Sequence, residues 1–325
     1  MIPPTLPVEL RAALDAKLEG LSRTDVAKRA ATISLTYRDG GNSGAIASET
    51  DALAYALARM PATYAAVAAS LNALMEIRPD LAPRSLLDVG AGPGTASWAA
   101  AEAFPTLAGL TLLDANPALR TLALELAAGS SRVGAAAYEL GPARTSLAQA
   151  AEADLVIASY LIGELGESER RDLVNAMWTR TRDTLVIVEP GTPVGYARII
   201  AARAQLIVSG AHVAAPCPHD RACPLHAPDW CHFAQRLPRS RAHMRMKDAE
   251  VPFEDEKFSN VILTRAPAAQ RPARVLAPPI VGKAEITAKL CTPDGLTLAK
   301  VPRRDKAAYA RARRLSWGDA FVEKS

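Results

Sequence analysis

Two groups of residues have the types and spacing to do chemistry. The first is Asp88-Val89-Gly90-Ala91-Gly92-Pro93-Gly94, with Asp114 twenty residues past Gly94. Glycines so spaced let the backbone turn tightly and approach a ligand without Cβ clashes. A carboxylate at the end of the next apolar run can accept both ribose hydroxyl protons of a bound nucleoside. A dinucleotide fingerprint would need glycine at the position of Thr95, so the pattern is not of the NAD type. The second group is Cys217, Cys223 and Cys231, three thiols within fifteen residues, with the fourth cysteine, Cys291, 59 intervening residues further on. With no cysteine left over, one four-thiolate site tying a distant segment to the cysteine loop is the simplest account. Spacers of five and seven residues suit paired zinc knuckles poorly and an iron–sulfur cluster as well or better. His219, His226 and His232 could each replace a thiolate, so a mixed zinc site stays open.

These residues need a scaffold, and the hydrophobic pattern supplies one. Apolar runs at Ser85–Gly90, Leu110–Ala115, Asp154–Leu161 and Thr184–Glu189, with a weaker one near Ala135–Leu140, alternate with helical segments. That texture predicts an α/β fold with a parallel sheet covered on both faces. The glycines then lie at a strand-to-helix turn, on the carboxyl edge where doubly wound sheets bind ligands. An acidic-x-Gly-x-Gly-x-Gly run in that place resembles motif I of class I S-adenosylmethionine-dependent methyltransferases, a Rossmann-like fold. The resemblance implies cofactor binding by Asp88, Gly90, Gly92, Gly94 and Asp114, with Asp88 near the methionine amino group and Asp114 on the ribose. After the fourth strand the chain reads Ser159-Tyr160-Leu161-Ile162-Gly163-Glu164-Leu165. It carries neither the Asn/Asp-Pro-Pro-Tyr/Phe motif common in amino-methylating enzymes nor a Pro-Cys nucleophile. Glu164 and Glu189 are expected on the substrate side, in either a catalytic or a structural role with the structural one favoured, and no catalytic residue is named.

Three regions are expected. Residues 1–80 form a helical extension, residues 81–210 the Rossmann-like core, and residues 211–325 a cysteine-rich module with β-hairpins that completes the sheet. Helices are expected at Glu49–Arg59 and Pro61–Ile77, with Pro61 at a first helical position, and hairpins at Lys257–Thr264 and Ala284–Val301. Residues 191–325 hold 22 Lys+Arg against 12 Asp+Glu (+10), and the preceding residues hold 16 against 22 (−6). A basic back half suggests a polyanionic partner. No run is long and apolar enough to span a membrane. The start of the chain lacks a signal-peptide core and is too acidic for a transit peptide, so a cytoplasmic, monomeric protein is expected.

Together, several segments resemble one family, the methyltransferase-like assembly factors of the mitochondrial small ribosomal subunit and their bacterial relatives. They are Arg59-Met60-Pro61-Ala62-Thr63-Tyr64, the glycine run, Val188-Glu189-Pro190-Gly191-Thr192-Pro193, the cysteine block through Phe233, Phe253–Ser259 and Ser316-Trp317-Gly318-Asp319. The resemblance spans roughly residues 50–320, and the cysteine block is its most specific part. It implies a [4Fe–4S] cluster on Cys217, Cys223, Cys231 and Cys291, S-adenosylmethionine at the Gly90–Gly94 turn, and a role at the small subunit through its rRNA. Arg236, Arg239, Arg241, Arg245 and Lys247, with Arg303, Arg304, Lys306, Arg311, Arg313 and Arg314, are candidate phosphate contacts. Phe233, Tyr309 and Trp317 are candidate base-stacking residues.

Overall fold

A computed structural model describes the chain except for residues 39, 40, 241, 242, 245, 246, 248 and 322–325. Helix α1 (Val8–Leu18) buries Leu10, Leu14 and Leu18 along one i, i+4 stripe. Helix α2 (Arg23–Arg38) follows, and α3 (Glu49–Ile77) opens on a capping box between Ser48 and Asp51. The two helices expected either side of Pro61 are one helix of 29 residues with Pro61 inside it. An interior proline typically costs about 3 kcal/mol. Burial of Leu57, Met60, Tyr64, Val67 and Leu71 along α3 outweighs that cost.

The core then alternates strand and helix: β1 (Ser85–Val89), α4 (Thr95–Ala103), β2 (Gly109–Asp114), α5 (Pro117–Ala127), β3 (Ala137–Leu140), α6 (Ala143–Gln149), β4 (Ala153–Ser159), α7 (Glu167–Thr179), β5 (Thr181–Pro190) and α8 (Pro193–Val208). Next come β6 (His212–Ala215), β7 (Phe233–Pro238) and β8 (Phe253–Thr264). The sheet order is β3-β2-β1-β4-β5-β8-β6, with β7 also on β8. Strands β1 to β5 run parallel, whereas β8 is antiparallel to β5. Two apolar clusters cover the faces, one including Leu86, Leu155 and Val186 and the other Leu87, Val156 and Leu185. Alternation of side chains about each strand sends neighbours to opposite clusters.

Lys257–Thr264 is not a hairpin but the buried half of β8. Phe258–Thr264 is buried throughout, so its backbone groups need partners on both edges. Strand β5 supplies one edge, and β6 and β7 share the other. A second sheet holds β9 (Ala273–Val275), β10 (Ile280–Val281), β11 (Glu285–Thr292), β12 (Gly295–Pro302) and β13 (Ala320–Phe321), with α9 (Lys306–Ala312) beside it. Here the expected hairpin forms, β11 turning into β12 at Gly295, whose φ of +127° a side chain would resist.

Candidate functional site

At the carboxyl end of β1 the chain enters the turn through Gly90, Gly92 and Gly94, all with φ between +54° and +81°. Only glycine takes such values without strain. A Cβ on Gly90 would also lie 2.6 Å from Leu161 Cδ1. Helix α4 starts at Thr95 directly after the turn, so its free amides face the same edge.

Both acids lock this turn. Asp114 Oδ2 accepts the Gly92 amide at 2.8 Å, and Oδ1 accepts the Asn116 amide at 2.8 Å. A carboxylate offers about four acceptor positions, so capacity for further donors remains. Asp88 Oδ2 accepts the amide and hydroxyl of Ser97 at 3.0 and 2.7 Å. Its Oδ1 is buried and has no partner among the described residues. Burial raises both carboxyls above their ordinary range, Asp88 to about 7. The Tyr138 hydroxyl donates to Gly92 O at 2.7 Å and closes the turn from below.

The helical extension reaches this edge. Asn116 Nδ2 donates to the carbonyls of Ser43 and Ile46, both at 2.9 Å. Glu164 Oε2 accepts the Ser43 amide at 3.3 Å, and burial pushes Glu164 up to about 7. Glu189 is fully buried, accepts the Gly163 amide and pairs with Arg198 at 3.5 Å. Both glutamates are therefore engaged by the protein itself. Sequence reasoning missed Tyr160, the one non-glycine residue with positive φ among those described (57°), whose hydroxyl donates to Glu256 at 2.7 Å. Nothing local in the sequence marks it, because its partners are distant in sequence: its amide donates to Val188 O of β5 at 2.8 Å and its hydroxyl reaches Glu256 of β8.

The four cysteines converge. Cys217, Cys223, Cys231 and Cys291 line one cavity between α8, the cysteine loop and the second sheet, with Tyr196 among its walls. The Tyr196 hydroxyl donates to Cys223 Sγ at 3.1 Å. Burial raises Cys217, Cys231 and Cys291, the last to about 12, and the neighbouring thiols push in the same direction. Among the described residues no group of three or more His, Cys, Asp or Glu side chains is arranged to hold a metal ion. His232 stacks on Trp230 at a ring separation of 4.9 Å and meets Trp317 edge-on at 4.5 Å, and His226 is exposed. His219 is the histidine near a thiol, 4.0 Å from Cys291 Sγ.

The basic stretch after the cysteines is largely neutralised. Arg236 pairs with Asp255, and Arg239 and Lys247 pair with Glu254. Arg241 and Arg245 lie outside the described residues. The tail is different: Arg303, Arg304, Lys306, Arg311, Arg313 and Arg314 are all exposed. Phe233 is buried against Phe258, and Trp317 packs on His232, so neither is a free stacking platform. Tyr309 is half-buried.

Five parallel strands in the order β3-β2-β1-β4-β5, an antiparallel strand beyond them and a glycine turn leaving β1 define the class I S-adenosylmethionine-dependent methyltransferase fold. The family profile "Mitochondrial small ribosomal subunit Rsm22" matches residues 49–322, and the chain belongs to that family of methyltransferase-like small-subunit assembly factors. It is 30% identical over 286 residues to "Ribosome assembly protein METTL17, mitochondrial" of Homo sapiens, covering 82% of this chain and 61% of the human protein. It is 27% identical over 329 residues to "Rsm22-cox11 tandem protein 2, mitochondrial" of Schizosaccharomyces pombe, covering 84% and 43%. The chain thus spans less than two thirds of either relative. Among solved structures it is similar to magnesium protoporphyrin IX methyltransferase from Synechocystis PCC 6803, at 12% identity and TM-score 0.41, covering 63% of this chain and 84% of that one. It is also similar to precorrin-6y C5,15-methyltransferase from Geobacter metallireducens, at 15% identity and TM-score 0.40, covering 60% and 87%. The expected cytoplasmic location is corrected by these comparisons, since the curated relatives are mitochondrial proteins. Acidic residues near the start of the chain do not outweigh that kinship. No helix among the described residues is long and apolar enough to cross a membrane.

Proposed function

We propose that this chain is an S-adenosylmethionine-binding, methyltransferase-like protein that holds a [4Fe–4S] cluster and acts on the small ribosomal subunit through its rRNA. The observation that carries the proposal is the convergence of all four cysteines, three from one loop and one from β11, on a single cavity. Four thiolate donors with spacers of five and seven residues suit an iron–sulfur cluster better than paired zinc knuckles. Cys217, Cys223, Cys231 and Cys291 would hold it. When bound it supplies a rigid tie between the loop and the second sheet, and a one-electron redox centre.

At the other site Asp114 would accept the ribose hydroxyls, and Asp88 Oδ1 is a free acceptor for an ammonium group. Membership of the mitochondrial small ribosomal subunit Rsm22 family supports the small subunit as partner. The exposed tail arginines favour rRNA phosphates over a neutral surface. Co-sedimentation with small-subunit precursor particles tests this. Protein carrying its metal should co-sediment at low salt and dissociate toward physiological salt, and protein stripped of metal should bind less. Failure of the intact protein to co-sediment at any salt would overturn the proposal.

A second reading, methyl transfer to rRNA, is favoured by one observation. Left-handed backbone at a bulky residue stores strain that often marks active sites, and Tyr160 has it at the substrate-facing end of β4. Transfer of a labelled methyl group to precursor rRNA would establish that reading, and its absence would leave the binding role alone.

A further inference from the structure

Two arginines are buried beside the cysteine cavity, Arg203 at 2% and Arg274 at 3% exposure. Charged side chains are almost never buried so fully unless they are paired. Arg203 comes from α8 and has no carboxylate within ion-pair distance among the described residues. One of its nitrogens donates to His219 O at 2.6 Å, in the middle of the cysteine loop. Arg274 comes from β9, directly opposite Cys291 in the antiparallel register with β11. It donates to Gly318 O at 3.0 Å and lies 3.7 Å from Glu76, a carboxylate half in solvent. In each guanidinium the Nε is buried and has no partner among the described residues. Both side chains line the cavity that the four cysteines line.

Two buried cations, Arg203 with no carboxylate partner among the described residues and Arg274 with only the half-solvated Glu76, border four thiols that would carry negative charge once bound to a cluster. We propose that Arg203 and Arg274 are the counter-charges of the thiolate-bound centre, one from each side of the cavity, and that they raise its reduction potential. This inference rests on the cluster reading above. Four thiolates leave a cluster net negative, and adding an electron makes it more so. A guanidinium in a low-dielectric wall favours the reduced form over the oxidised one. Hydrogen bonds from the free Nε groups to sulfur would act in the same direction.

The test uses the full chain purified without oxygen, titrated with dithionite and followed by visible absorption and electron paramagnetic resonance. Dithionite delivers one electron to the centre and no proton is required. Arg203→Gln and Arg274→Gln should each shift the midpoint to more negative potential, and the double variant further. Arg203→Lys, which keeps the charge and loses the fork, should stay close to wild type. Should a Gln variant fold but hold no iron, restored loading in Arg203→Lys supports the same conclusion, and equal loss in both overturns it. Loaded variants with an unchanged midpoint overturn the inference and leave the cluster reading intact. Wild-type protein without iron or sulfide removes the cluster reading itself, and the inference with it.

Discussion

The carboxylate of Asp114 holds the amide of Gly92 at 2.8 Å, so the acid ending β2 and the middle glycine of the turn act as one unit. The same side chain also holds the Asn116 amide that opens α5. Asp114→Ala should therefore lower affinity for S-adenosylhomocysteine by roughly 10- to 150-fold, from loss of about 1.5–3 kcal/mol in hydrogen bonds to a charged acceptor. Calorimetry checks this, and equal affinity in the variant would move the ribose contact elsewhere.

Asp88 gives a pH signature. Its folded carboxyl, raised by burial to about 7, lies above the ordinary value of 3.8. Its contribution to stability is thus full below about pH 4 and is lost as pH rises toward 7. Asp88→Asn removes the titration while keeping an acceptor for Ser97. Denaturant unfolding at pH 5 and pH 8 should show the variant gaining on wild type at the higher pH. A constant difference across that range would contradict the assignment.

Cys291 is the ligand candidate furthest along the chain, buried on β11 opposite Leu296 of the hairpin. Cys291→Ser should cost most of the bound iron and expose the second sheet to protease, because metal binding and local folding are coupled. Normal iron content with unchanged proteolysis would remove Cys291 from the ligand set.

Charge placement separates two basic stretches that look alike in the sequence. Reversing Arg313 and Arg314, both exposed, should weaken rRNA binding and flatten its salt dependence. Reversing Arg236, already paired with Asp255, should have the smaller effect on the salt slope. Filter binding across a salt series reads both, and equal slopes would contradict the assignment of the contact to the tail.

The core was legible because its signals are local. The glycine turn, the acid ending β2 and the apolar runs each declare their element within a few residues. Less legible features depend on partners far away in sequence. Pro61 sits inside α3 because packing along that helix overrides its backbone preference. Lys257–Thr264 looks like a hairpin until β5, β6 and β7 take up the edges of β8. The basic run after the cysteines reads as free charge until Glu254 and Asp255 are brought alongside by the β7–β8 pairing. Arg203 and Arg274 look like ordinary surface arginines, because only the fold buries them. The cysteine set was legible from count and spacing, but its convergence on one cavity needed α8 and β11 in place.

Quantifying metal and acid-labile sulfide in the anaerobically purified full chain tests the central claim most directly. The account predicts a brown protein with broad visible charge-transfer absorption, and iron and sulfide in equal amounts. A colourless protein carrying stoichiometric zinc, with no iron uptake on reconstitution, would contradict it.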